Sequence, residues 1–119
     1  AYEGKWLSGF NEDYVAGQMA KMKKKFWDKG IPVIIGEYSV CTTKNCNLGT
    51  AEENAKAYEG YMKSRAAFNA CVVREAKSNG CVPFYWHCEG ELIDRKALKV
   101  TEQTTYEAIV EAGRTQYPD

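Results

Sequence analysis

The side chains able to do chemistry gather in two short stretches. Gly36-Glu37-Tyr38 directly follows the apolar run Ile31-Pro32-Val33-Ile34-Ile35. A carboxylate at the end of a buried run must be hydrogen-bonded, paired with a cation or raised in pKa. Such a group can act as nucleophile or general base; equally, Glu37 can simply lead into a surface loop. The second stretch ends in Trp86-His87-Cys88-Glu89, with Glu91 and Asp94 close behind. The amphipathic Trp86 ring suits the apolar face of a sugar, or a place in the core. His87, the single histidine, titrates near neutrality and can be an acid, a base or a hydrogen-bond donor. Glu89, Glu91 and Asp94 form an acidic loop, which solvation alone would explain. They bear on function because glycoside hydrolysis usually employs two carboxyl groups, one protonating the leaving oxygen and one acting as nucleophile or base.

Metal and cofactor chemistry is not expected. The five cysteines, Cys41, Cys46, Cys71, Cys81 and Cys88, include no C-x-x-C pair, and with one histidine they make a poor zinc set. Cys41 and Cys46 can close a small loop, Cys71 and Cys81 read as buried thiols, and the odd count leaves at least one unpaired. Sixteen basic and sixteen acidic residues cancel, which removes the electrostatic footprint of a nucleic-acid or membrane-surface binder. The one basic run, Lys21, Lys23, Lys24 and Lys25, spreads around a helix and reads as a solvated face. No apolar stretch reaches the length of a membrane span. The first ten residues lack a signal-peptide pattern, which leaves the compartment open.

The elements that must position these groups follow from periodicity. Val15, Met19, Met22 and Phe26 recur at helical spacing behind Asn11 as cap, predicting a helix from about Glu12 to Lys29 that Gly30 ends in a left-handed conformation. Ile31 to Ile35 is continuous and β-branched, as in a strand buried on both faces of a parallel sheet. Thr50-Ala51-Glu52-Glu53 has the capping-box form and opens a long helix to Asn79-Gly80, with Gly60 or Phe68-Asn69 available to kink it. Cys81 to Trp86 reads as a second strand. A last helix opens with Thr104-Thr105-Tyr106-Glu107 and ends at Gly113. The order is helix, strand, helix, strand, helix in a single domain, residues 1–119, with a right-handed parallel βαβ unit. In such folds functional residues gather at the carboxyl ends of strands, where Glu37 and Trp86 stand.

The segment Phe26-Trp27-Asp28-Lys29-Gly30-Ile31-Pro32-Val33-Ile34-Ile35-Gly36-Glu37-Tyr38 resembles the stretch of glycoside hydrolase family 5 cellulases that leads into barrel strand seven. There the glutamate of the Ile-Gly-Glu-(Phe/Tyr) motif is the catalytic nucleophile, which implies that role for Glu37. Val82-Pro83-Phe84-Tyr85-Trp86 resembles strand eight, whose tryptophan lines the subsite beside the scissile bond, implying substrate binding by Trp86. Leu92-Ile93-Asp94-Arg95 resembles the segment after that strand, and the final helix falls where helix eight belongs. The resemblance therefore implies an α/β fold of partial TIM-barrel type, since a complete barrel needs about 250 residues.

The family's acid/base is the glutamate of an Asn-Glu-Pro motif, which this sequence lacks, and His87-Cys88-Glu89-Gly90 stands where many members have Asp-Asn-Gly. The expectation is a β-1,4-glucan hydrolase of endoglucanase type with Glu37 as nucleophile. Glu89, Glu91 or His87, or a second chain, would replace the missing acid. Tyr38 and His87 join Trp86 as substrate-binding candidates. The alternatives are a carbohydrate-binding remnant without turnover and a purely structural fragment. A secreted or extracellular setting is implied. Two parallel strands with open edges and one uncovered face also point to a homo-oligomer.

Overall fold

The computed structural model describes residues 12–40, 50–86 and 92–119. Asn11, the Cys41–Cys46 loop and His87 to Glu91 lie outside the described residues. Helix α1 (Glu12–Lys25) carries acidic residues in its first turn and lysines in its last, as the helix dipole favours. The stripe Val15, Met19, Met22 and Phe26 is half-buried. A 3-10 turn, Trp27–Lys29, follows, and Gly30 ends it in the left-handed region at φ 79°. The expected single helix is thus an α-helix with a tightened last turn.

Strand β1 (Val33–Tyr38) pairs in parallel with β2 (Cys81–Tyr85). It starts later and ends later than the apolar run suggests. Pro32 has no N–H to give the ladder, and the Ile31 amide turns back to the Phe26 carbonyl at 3.1 Å. Expected burial on both faces is also not what the strands show. Ile34 is 67% exposed and Phe84 53% exposed, whereas their neighbours Val33, Ile35 and Tyr85 are half-buried and Cys81 is fully buried. An apolar, β-branched run records a preference for burial; it carries no information on what covers the second face.

Between the strands runs α2 (Ala51–Ser78), one uninterrupted helix of 28 residues. Its start is the expected capping box: the Thr50 hydroxyl accepts from the Glu53 amide, and the Glu53 carboxylate accepts from the Thr50 amide. Those two Thr50 donors, backbone first, hold the Glu53 carboxyl below its ordinary pKa. Neither proposed site divides the helix. Gly60 costs a helix interior only about 1 kcal/mol, and Asn69 turns its amide back to the Arg65 carbonyl four residues earlier, at 2.8 Å, without breaking the backbone. The second half of α2 carries the core: Ala66, Cys71, Val72, Val73 and Ala76 are buried, as are Cys81, Leu92 and Ala112.

After β2 comes a hairpin the sequence reading missed, β3 (Ile93–Asp94) antiparallel to β4 (Lys99–Val100). The Asp94 carboxylate closes its turn by accepting from the amides of Lys96 and Ala97 at 2.9 and 2.8 Å. Helix α3 (Gln103–Ala112) then packs on α2. Its expected capping box does not form. Glu102 occupies the cap position, Glu107 accepts from Gln103 at 2.9 Å, and Thr105 is buried inside the first turn. Among the described residues no helix is long and apolar enough to cross a membrane.

Candidate active site

A register shift in β1 decides where Glu37 points. Val33, Ile34 and Ile35 pair in order with Cys81, Val82 and Pro83, but the next pair is Tyr38 with Tyr85. One extra residue therefore sits in β1 between Ile35 and Tyr38. Such a bulge re-aims the side chains around it. The burial sequence records the effect: half-buried Val33, exposed Ile34, half-buried Ile35, exposed Gly36 and Glu37, half-buried Tyr38. Regular alternation would place Glu37 with the half-buried Val33 and Ile35. The bulge places it with Ile34 on the open face. Glu37 thus lies within the strand, one residue before its last rung, and not just beyond the strand as its sequence context suggests.

Trp86 stands across from it. The ladder continues past β2, because the Trp86 amide donates to the Tyr38 carbonyl at 2.9 Å. With Phe84 exposed and Tyr85 half-buried, Trp86 falls on the open face and is 56% exposed. The core position allowed for this tryptophan is therefore not the one it takes. Glu37 and Trp86 share one face at adjoining strand ends, and Glu37 is the one carboxylate that β1 and β2 bear.

Tyr38 faces the other way. Its ring meets Tyr85 edge to face, with centroids 5.6 Å apart and planes at 83°. The Tyr85 hydroxyl in turn accepts from Arg65 of α2 at 3.3 Å, on the helix-covered side. Tyr38 backs the strand end instead of sharing the open face. His87, Glu89 and Glu91 belong to the segment outside the described residues. Asp94, further along, is engaged in its own turn.

Arg65 is the residue that sequence reasoning missed. It is 1% exposed, and its guanidinium donates to Glu102 Oε2 at 3.2 Å, to the Val40 carbonyl at 3.1 Å and to Tyr85. Burial alone would pull its pKa down, but the Glu102 carboxylate and Tyr85 beside it outweigh that and hold it above the ordinary value. No cluster of three or more histidine, cysteine or acidic side chains suited to a metal ion occurs among the described residues.

The arrangement offers an exposed carboxylate on one strand end and an aromatic platform on the next. This suits attack on a carbon held against the indole, as in sugar chemistry with a covalent intermediate. Comparison with known proteins bears on the family and the fold. The family described as Cellulase (glycosyl hydrolase family 5) matches residues 2–91. A family 5 xyloglucanase from Paenibacillus pabuli is 29% identical with a TM-score of 0.69, the match covering 96% of this chain and 30% of that one. A family 5 lichenase from Caldicellulosiruptor sp. F32 is 29% identical with a TM-score of 0.68, covering 96% and 28%. A Bacteroides ovatus xyloglucanase in complex with a XXXG heptasaccharide has a TM-score of 0.73 at 24% identity, covering 93% and 25%, and supports the fold alone. The chain spans under a third of the length of these structures. No curated protein matches it significantly. The likenesses make the two parallel strands and their helices part of a TIM-barrel architecture.

Proposed function

The chain belongs to the cellulase family, glycosyl hydrolase family 5, and on that premise we propose that it serves β-1,4-glucan hydrolysis with Glu37 as nucleophile and Trp86 as the sugar platform. The observation that carries this reading is the bulge, which brings the one carboxylate of the two parallel strands onto the same open face as Trp86. In a retaining reaction the Glu37 carboxylate attacks C1 as a second carboxyl group, about 5–5.5 Å away, protonates the leaving oxygen. Of the nearby described acids, Asp94 closes a turn and Glu102 holds Arg65. The proton donor is therefore assigned to Glu89, Glu91 or His87, or to a further polypeptide segment or chain. A secreted or extracellular setting fits a polymeric substrate.

The shortage of a second free carboxylate among the described residues favours an alternative, sugar binding without turnover. Reducing-sugar release from soluble β-glucan separates the two. Release by the wild type and its loss in Glu37→Gln supports hydrolysis. Oligosaccharide binding seen in tryptophan fluorescence, with no release in either protein, supports the alternative.

Self-association belongs to the same proposal. The open face carries Ile34, Phe84 and Trp86 exposed, and the outer edges of a two-stranded sheet leave backbone groups unpaired. A second copy pairing along those edges would cover Ile34 and Phe84 and bring a second set of carboxylates near the first. Sedimentation at micromolar concentration should show a dimer or larger species that Ile34→Asp disperses; a wild-type monomer rejects this part of the reading.

A further inference from the structure

Arg65 sits behind the candidate site and reaches three separate pieces of chain. From the middle of α2 its Nη1 meets the carbonyl of Val40, two residues past the end of β1. Its Nη2 meets the hydroxyl of Tyr85, the last residue of β2. Its Nε meets the carboxylate of Glu102, at the cap position of α3. Glu37 lies three residues before the first contact and Trp86 one residue after the second. Asn69 braces the arrangement by donating to the Arg65 carbonyl.

Stability is a weak explanation for a cation in this position. Desolvating a guanidinium and a carboxylate costs about what their attraction returns, so a buried pair adds little over apolar packing. Cohesion between α2, β2 and α3 is already supplied by Val72, Val73, Ala76, Cys81 and Ala112, all buried. A planar fork of donors supplies something else: fixed distances and angles among its acceptors, which a lysine cannot reproduce. We propose that Arg65 is a positioning residue of the site, holding the ends of β1 and β2 in register so that Glu37 faces a sugar lying on Trp86. The proposal rests on the assignment of Glu37 and Trp86 above and adds the residue that sets their relative geometry.

Dinitrophenyl β-cellobioside tests it without requiring an acid. As a Glu37 carboxylate oxygen bonds to C1, the C1–O bond breaks and its electron pair leaves on dinitrophenolate, which needs no proton. The burst of dinitrophenolate gives the saturating rate of ester formation and the half-saturating glycoside concentration, both per folded molecule. Arg65→Lys and Tyr85→Phe should lower the saturating rate about tenfold or more, as small misplacement of a reacting group does, while the half-saturating concentration stays put. Val73→Ala, a buried position away from the strand ends, should lower stability yet leave the rate per folded molecule unchanged.

Each outcome bears on the proposal. Equal saturating rates in the wild type and both folded variants overturn the role of Arg65 while Glu37 keeps its assignment. No burst in the wild type removes the site assignment and this proposal with it. If Arg65→Lys does not fold, Tyr85→Phe decides alone, since it deletes a single hydroxyl from a half-buried ring.

Discussion

At the amino ends of β1 and β2 the Trp27 indole fills the space beside Gly80, whereas at their carboxyl ends Glu37 and Trp86 stand exposed over an open sheet face. The amino end of β2 is backed by aromatic packing. Gly80 has φ 78°, and a Cβ added there would come within 2.2 Å of the Trp27 indole. Trp27 stacks on Tyr117 with centroids 6.4 Å apart and planes at 21°. The Lys77 ammonium lies 5.0 Å from the Tyr117 ring centroid and donates to the Gly113 carbonyl. Among the described residues, Arg65 backs the carboxyl ends, through Val40 and Tyr85. Parallel pairing puts both strand starts on one side and both finishes on the other, so one side can be spent on packing while the other is left open for a ligand.

The largest effect that would break this contrast is expected at Gly80. Gly80→Ala loses both the left-handed conformation and the clearance for Trp27, a cost of about 2–6 kcal/mol from backbone strain plus overpacking. Urea denaturation measures it; a loss below about 1 kcal/mol would mean that Trp27 is not seated against Gly80. At the opposite end, Trp86→Ala should weaken cello-oligosaccharide binding by about 1–3 kcal/mol with little change in Tm, because the indole is more than half exposed. Unchanged affinity with a large drop in Tm would return Trp86 to the core and erase the contrast.

The smallest effect concerns the thiol at the heart of the packed side. Cys71 is fully buried; burial first, then the nearby Glu12 carboxylate, pushes its pKa up to about 11. The folded thiol should resist alkylation by iodoacetamide at pH 8 and react only on unfolding. Its folded pKa lies above the unfolded value, so its contribution to stability is complete below the ordinary thiol range. That contribution fades as pH rises towards 11. Rapid labelling of native Cys71 at neutral pH would show that the core opens readily.

What the sequence made legible was local. The α1 stripe, the left-handed Gly30 and the Thr50–Glu53 box each depend on residues within a turn or two of one another, and each formed. The placement of Glu37 depends on how β1 counts against β2, and no pattern inside β1 alone records a bulge; Gly36, a glycine within a strand-like run, was the available signal. Arg65 was invisible because a charged residue in mid-helix ordinarily faces water, and its partners lie 20 to 37 residues away. The start of α3 was misplaced for the same reason. A Thr-x-x-Glu pattern is a local signal, but Glu102 is drawn to Arg65 and Glu107 to Gln103. The β3–β4 hairpin has strands of two residues each, too short for an alternation to show.

The central claim is that Glu37 is the group that attacks a sugar held at the open strand ends. It is tested most directly by incubating the protein with dinitrophenyl β-cellobioside, quenching in acid and mapping the peptides by mass spectrometry. The expected result is a cellobiosyl ester on Glu37 in the wild type, with neither ester nor dinitrophenolate burst in Glu37→Gln. An ester on a different carboxylate, or a burst that survives in Glu37→Gln, would contradict it.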